Sequence, residues 1–215
     1  MSATGIWAVV PIKEFAGAKQ RLSARLSPAQ RRELACVMAT AVLTALAAAR
    51  GLAGIAVVTI DPEATALANS FGARIITEGA QDGHTGAVDG ARRVMAADAG
   101  ILTLPGDIPL VTAEEIEAVL AATGPAPAFT IVPAHDRLGS NAVLCAPPQC
   151  VKLRFGEDSY YPHLVAARVA GIEPVVLALP GIGMDIDHPA DLDQFLRLPQ
   201  AAGTPTAALL RRWMP

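Results

Sequence analysis

Short apolar runs alternate with helix-forming stretches along this chain, and that alternation leaves few folds open. Residues 6–12 (IWAVVPI), 54–60 (GIAVVTI), 73–77, 100–104 (GILTL), 128–133, 142–145 and 174–179 read as strands. Continuous rather than alternating hydrophobicity marks strands buried on both faces. Between them, residues 29–49, 62–71, 87–97, 112–122 and 159–170 read as helices, and a last helix starts near residue 189. Ser27-Pro28 supplies a cap with proline at the first helical position. Thr112 with Glu115 three residues on reads as a capping box. The expected product is an α/β fold with a mixed, mostly parallel sheet and helices on both faces. A chain of 215 residues suits one domain. That domain is expected over residues 1–200, with the Ala- and Pro-rich residues 201–215 as a peripheral tail.

Composition removes several function classes. Hydrophobic residues make up 52% and charged residues 17%, which excludes a disordered chain. The formal net charge of -3 argues against a nucleic-acid partner. No uninterrupted apolar run is long enough for a membrane span, and no secretory leader is expected. Cys36, Cys145 and Cys150 lack metal-site spacing and read as buried thiols in a reducing cytoplasm. The four histidines show no zinc-like pattern, and no serine-hydrolase elbow occurs.

In doubly covered sheets, ligands bind beyond the carboxyl ends of the strands. The polar clusters of this chain fall at such ends. PIKEFAGAKQRL, residues 11–22, brings Lys13, Lys19 and Arg21 into one loop after the first strand, a composition suited to polyphosphate. It is neither a P-loop nor a dinucleotide turn, and a solvated basic helix face is the plainer alternative. LPGDIPL, residues 104–110, fixes Asp107 at a buried strand end, either to hold Mg²⁺ or to shape the bend as an Asx-turn. In GIGMDIDHPADL, residues 181–192, Asp185 and Asp187 point to one side of an extended segment, although Asp187 could instead cap the next helix. GSNAVL carries Ser140 and Asn141 in a small polar turn. FGEDSYYPH carries Gly156 and Ser159 just before a helix whose N-terminus attracts anions.

The order and spacing of PIKEFAGAKQRL, LSPAQRRELACVMATAVL, LPGDIPL, GSNAVL, FGEDSYYPH and MDIDHPADL resemble the 2-phospho-L-lactate guanylyltransferase family of coenzyme F-420 biosynthesis. The likeness runs from about residue 7 to 192. It implies a Rossmann-like nucleotide-diphospho-sugar transferase fold, similar to that of the molybdenum-cofactor guanylyltransferases. It implies GTP as donor, Mg²⁺ as cofactor and a three-carbon phosphoacid as acceptor: 2-phospho-L-lactate, phosphoenolpyruvate or 3-phospho-D-glycerate. By motif match, Asp107, Asp185 and Asp187 would bind the metal, and Lys13, Lys19 and Arg21 would line the triphosphate. Thr85 and Gly86 would lie at the nucleotide. Ser140, Gly156 and Ser159 would bind the acceptor. Asp107, Lys19 and Arg21 would carry catalysis.

Four positions depart from the family pattern. Thr is usual where Ser140 stands, and the hydroxyl is retained. A Leu-Asn pair is common where His84-Thr85 sits, beside the expected guanine pocket, and Thr is common where His188 stands. The expected partners are GTP and a small phosphorylated acid, without nucleic acid or membrane, and a homodimer is allowed. A nucleotide-binding regulator would keep the basic loop but would not need three converging carboxylates. A cytidylyl- or sugar-1-phosphate transferase typically carries a glycine-rich first loop, which is missing here.

Overall fold

A computed structural model describes residues 5–156 and 158–214 of the chain. Among the described residues, seven strands form one sheet: β1 (Ile6–Pro11), β2 (Leu52–Val58), β3 (Arg74–Ile76), β4 (Gly100–Thr103), β5 (Ala128–Pro133), β6 (Ser140–Ala146) and β7 (Val175–Val176). Their order is β3-β2-β1-β4-β6-β5-β7. β1 pairs in parallel with β2 and β4, β2 with β3, and β5 with β7. β6 runs against β4 and β5. The mixed, mostly parallel sheet expected from the apolar runs is therefore present. The run at residues 174–179 pairs over only two residues.

The helices are α1 (Pro28–Ala48), α2 (Pro62–Ser70), α3 (Gly83–Val94), α4 (Ala113–Ala122), α5 (Tyr160–Val169), α6 (Pro180–Gly183), α7 (Pro189–Arg197) and α8 (Pro205–Trp213). Ser27 and Gln30 close the capping box that starts α1. The sheet is covered on both sides, and alternation along β1 divides its side chains between them. Ala8 and Val10 pack with Val42 and Leu43 of α1 and Ile116 of α4. Val9 packs with Val88 of α3 and Tyr160 and Leu164 of α5. Among the described residues, no helix is long and apolar enough to cross a membrane.

Two local expectations give way to tertiary structure. The helix expected over residues 87–97 starts earlier, at Gly83, so that residues 83–86 form the first turn of α3. Gly86 sits there because a Cβ on it would collide with the side chain of Asp82, the residue that precedes the helix. The segment after residue 200, expected to be peripheral, contributes α8. Its Ala207 and Leu210 are fully buried in a third apolar cluster with Leu34 and Met38 of α1 and Phe195 of α7. Alternation of exposed arginines with these apolar residues makes α8 amphipathic, and its Thr204 cap accepts from Ala207 N.

The chain leaves β1 toward β2 on one side and reaches β4 on the other, so strand order reverses between β1 and β4. A crevice opens at such a switch point. Lys13 follows β1 and Asp107 follows β4, so the topology itself aims both at the crevice.

Leu210→Ala should cost about 2–5 kcal/mol of stability through lost burial and the cavity left behind. Urea unfolding measures it. A loss below about 0.5 kcal/mol, the level of a neutral surface change, would show that α8 is not part of the folded core.

Candidate active site

Two adjoining cavities occupy the crevice. The first, of about 440 Å³, lies over the loop after β1 and against α1 and the start of α3. The second, of about 530 Å³, reaches toward Ser140, Gly156 and Ser159. They share a wall made of Lys13, Arg21, His84, Pro105, Asp107 and Asp187.

Lys19 lines the first cavity only, and its ammonium stands between two carboxylates of the shared wall. Its Nζ donates to Asp107 Oδ2 at 2.5 Å and to Asp187 Oδ1 at 2.6 Å. Its backbone is left-handed, at φ 53 and ψ 42, which a non-glycine residue adopts at a cost of order 1–3 kcal/mol. Two ion pairs with a side chain only 9% exposed hold it there. Burial alone would lower the lysine pKa, but the charges of Asp107 and Asp187 outweigh it and hold the pKa above its ordinary value. Burial raises the Asp107 pKa, with Asp187 and Asp185 adding to the effect against Lys19. For Asp187, burial is outweighed by Lys19 and Arg21, and the pKa falls. Arg21 Nη1 lies 4.0 Å from Asp187 Oδ2.

The segment that carries Asp185 and Asp187 is bound in place from several sides. Ile186 N donates to Asp107 O at 3.1 Å, and Ile186 itself is fully buried. Asp185 and Asp187 consequently share a side, but they face different partners. Asp185 Oδ1 accepts from Asn141 Nδ2 at 3.0 Å and lies 3.5 Å from His135 Nδ1. Burial raises the Asp185 pKa against that hydrogen bond. Among the described residues, no cluster of three or more metal-ligating side chains is arranged around one point. Asp107 and Asp187 converge on a single cation, and Asp185 stands beside them.

Asp187 does not cap α7. His188 occupies the cap position, and Asp191 Oδ2 accepts from Asp187 N at 2.9 Å and His188 N at 2.6 Å. The Asp187 side chain is thereby released for Lys19. Glu115 departs from its expected capping box too. Thr112 accepts from Glu115 N, but the Glu115 carboxylate accepts from Gly181 N and Ile182 N, both at 2.8 Å. Asp61, between β2 and α2, caps α2 and also accepts from Phe15 N at 2.8 Å. It fixes the basic loop and lines neither cavity.

On the far side, Ser140 and Ser159 meet, with Ser159 Oγ donating to Ser140 Oγ at 3.2 Å. Ser159 makes no side-chain cap to α5, so its hydroxyl belongs to this pair. Gly156 is exposed, and both serines and Gly156 line the second cavity. Thr85 and Gly86 line neither cavity. Thr85 Oγ1 accepts from Phe155 N at 2.9 Å and so ties α3 to the loop before Gly156. The preceding residue, His84, lines both cavities instead. Its ring lies 4.4 Å from Phe155, and its buried Nε2 has no partner among the described residues. Burial and the Lys13 charge lower its pKa to about 4, so the ring is neutral near pH 7.

Asn141, Glu115, Asp191 and His163 were not assigned to the site from the sequence. Asn141 stands in the quoted GSNAVL motif. Its amide also reaches the carbonyls of Ile182 and Gly183, at 3.0 and 3.1 Å. It is 5% exposed and followed by apolar residues in β6, and a polar side chain buried in that way requires a partner.

The arrangement offers cations for a polyphosphate, hard carboxylate oxygens in the shared wall, and a hydroxyl pair across it. A solved structure described as a putative nucleotide-diphospho-sugar transferase from Desulfovibrio desulfuricans G20 is similar in fold. The TM-score is 0.71 at 20% identity, covering 99% of this chain and 95% of that one. Among curated proteins, the phosphoenolpyruvate guanylyltransferase of Rubrobacter xylanophilus is 37% identical over 188 residues, covering 87% of this chain and 91% of its own. That of Sphaerobacter thermophilus is 37% identical over 191 residues, covering 87% and 90%. The family described as guanylyl transferase CofC like matches residues 6–212, and the chain belongs to that family of guanylyltransferases.

Proposed function

We propose that this guanylyltransferase transfers GMP from GTP to phosphoenolpyruvate in coenzyme F-420 biosynthesis, releasing pyrophosphate. The observation that carries the reading is the pair of cavities joined through one charged wall, within a chain of this family. The curated relatives at 37% identity are named for phosphoenolpyruvate, which supports that acceptor over the other two that the motifs allow.

In this reading GTP lies in the first cavity, with its triphosphate toward Lys13, Lys19 and Arg21. The acceptor lies in the second, with its anionic groups toward Ser140, Gly156 and Ser159. A phosphate oxygen of the acceptor attacks the α-phosphorus. The new P–O bond forms as the bond to the β-phosphate oxygen breaks, and pyrophosphate leaves with that electron pair. The attacking phosphate is already an anion, so no side chain has to remove a proton. The protein contributes positioning and charge neutralisation. Lys13 and Arg21 border both cavities and can offset the repulsion between two anionic substrates.

Mg²⁺ is the proposed cofactor. The donor set fits it, because carboxylate oxygens are hard ligands and two of them already converge on a cation, the Lys19 ammonium. Asp107 and Asp187 would hold the ion, with Asp185 adjacent. When bound, it supplies charge neutralisation at phosphate oxygens. The place of action is the cytoplasm, where the three free thiols Cys36, Cys145 and Cys150 stay reduced.

Incubation with GTP, Mg²⁺ and each of the three phosphoacids should release pyrophosphate fastest with phosphoenolpyruvate. A higher kcat/KM for either alternative would reassign the acceptor. Release with CTP but not GTP would reject the donor.

Lys19→Ala should lower kcat/KM by at least about a hundredfold, since it removes a charge worth about 1.5–3 kcal/mol to a phosphate and leaves two carboxylates facing each other. Asp107→Asn should do the same and should also weaken Mg²⁺ binding measured by calorimetry in the presence of GTP. Wild-type rates in both variants at limiting Mg²⁺ would remove this wall from the chemistry.

A further inference from the structure

Beneath the two serines lies a histidine that touches neither cavity. His163, on the first turn of α5, is 1% exposed. Its Nδ1 lies 2.9 Å from Ser140 Oγ, and its Nε2 accepts from Arg154 N at 3.0 Å. Phe155 meets the ring edge-on at 5.0 Å and Phe129 at 6.5 Å, so the ring cannot turn without disturbing the core.

The hydrogens follow by elimination. A backbone N–H can only donate, so Nε2 must be the unprotonated nitrogen. The ring proton therefore sits on Nδ1 and is donated to Ser140 Oγ. The Ser159 hydroxyl donates to the same oxygen at 3.2 Å. A hydroxyl oxygen has two lone pairs, and both are now taken. The hydroxyl hydrogen of Ser140 has to point away from both donors. Ser140 is half-buried and lines the second cavity, where that hydrogen can meet a ligand. Burial, aided by the charges of Arg154, His84 and Arg92, brings the His163 pKa to about 4 and keeps the ring neutral.

We propose that His163 is a positioning residue that fixes Ser140 as a hydrogen-bond donor toward an anionic oxygen of the acceptor. This rests on the reading of the second cavity as the acceptor site. It makes the serine pair directional: Ser140 can give a hydrogen bond to a phosphate or carboxylate and has no lone pair left for a ligand hydroxyl. It also explains why a fully buried histidine stands in an apolar shell where a leucine would pack.

Three variants and one spectrum test it. In ¹⁵N spectra of the substrate-free protein, assigned by comparison with His163→Asn, the His163 signal should show a protonated Nδ1 and a bare Nε2. The reverse tautomer overturns the proposal, whatever the substrate is. His163→Leu should raise the phosphoenolpyruvate KM about tenfold to a hundredfold while the GTP KM moves less than about threefold. His163→Asn puts an amide N–H near the Nδ1 position and should recover most of that loss, which a purely packing role does not predict. Ser140→Ala separates the two layers of inference. If Ser140→Ala raises the acceptor KM but His163→Leu does not, the positioning role is wrong and the acceptor site stands. If Ser140→Ala leaves the acceptor KM unchanged, the acceptor site and the role built on it both fall. Should His163→Leu fail to fold, the tautomer and the His163→Asn kinetics still decide: an Asn variant with unchanged GTP KM and near-normal acceptor KM supports the proposal, and one with a strongly raised acceptor KM rejects it.

Discussion

The interaction on which the site depends is the Lys19 ammonium held between Asp107 and Asp187. These three residues come from the loop after β1, the end of β4 and the segment before α7, separated by 88 and 168 residues in the chain. Lys19 is the buried member at 9% side-chain exposure, while Asp107 and Asp187 are 22% and 41% exposed, so water screens part of the charge that losing one partner would leave unbalanced. The same contact offsets the left-handed backbone at Lys19. Asp107 and Asp187 belong to the wall that the two cavities share, so one electrostatic knot fixes how the cavities lie relative to each other.

Four polar residues around the crevice keep the knot in register, Asn141 and Asp191 from the lining of the second cavity and Glu115 and Asp61 from outside both. Glu115 ties α4 to Gly181 and Ile182, Asn141 ties β6 to the carbonyls before Asp185, and Asp191 ties α7 to the backbone of Asp187. Asp61 does the same for the basic loop through Phe15 N. Each spends its side chain on backbone groups that helix ends and irregular segments leave unpaired. The carboxylates that face the crevice are thus freed from capping work. Such a site relies on preorganised charge, because phosphoryl transfer between anions asks the protein for placement and neutralisation more than for proton transfer.

Most of the fold was legible because its signals are local. The apolar runs at residues 6–12 and 54–60 became adjacent parallel strands, and Ser27-Pro28 began α1. The last segment reads as peripheral because an alanine-rich amphipathic stretch carries no local sign of its partner; α1 and α7 supply one for Leu210. Thr85 and Gly86 were expected at the nucleotide from the position of their motif. Helical phase turns Thr85 toward Phe155 and presses Gly86 on the loop before α3, leaving His84 to face the crevice. Glu115 and Asp187 each matched a capping pattern, and both were recruited elsewhere once their distant partners were in place.

By itself, then, the sequence determined the order of strands and helices, the polar residues at the strand ends, and a set of motifs similar to one guanylyltransferase family. Those properties depend on periodicity and on neighbours a few residues apart. Only the tertiary structure decided which charges meet. The reversal of strand order between β1 and β4 sets Lys19 against Asp107, and the hydrogen bond from Ile186 to Asp107 brings Asp187 to the same point. The direction of the Ser140 hydroxyl was decided there as well. It depends on Nε2 of His163 facing the backbone N–H of Arg154. Hydrogen-bond direction is a property of the completed network, and no single residue or spacing carries it.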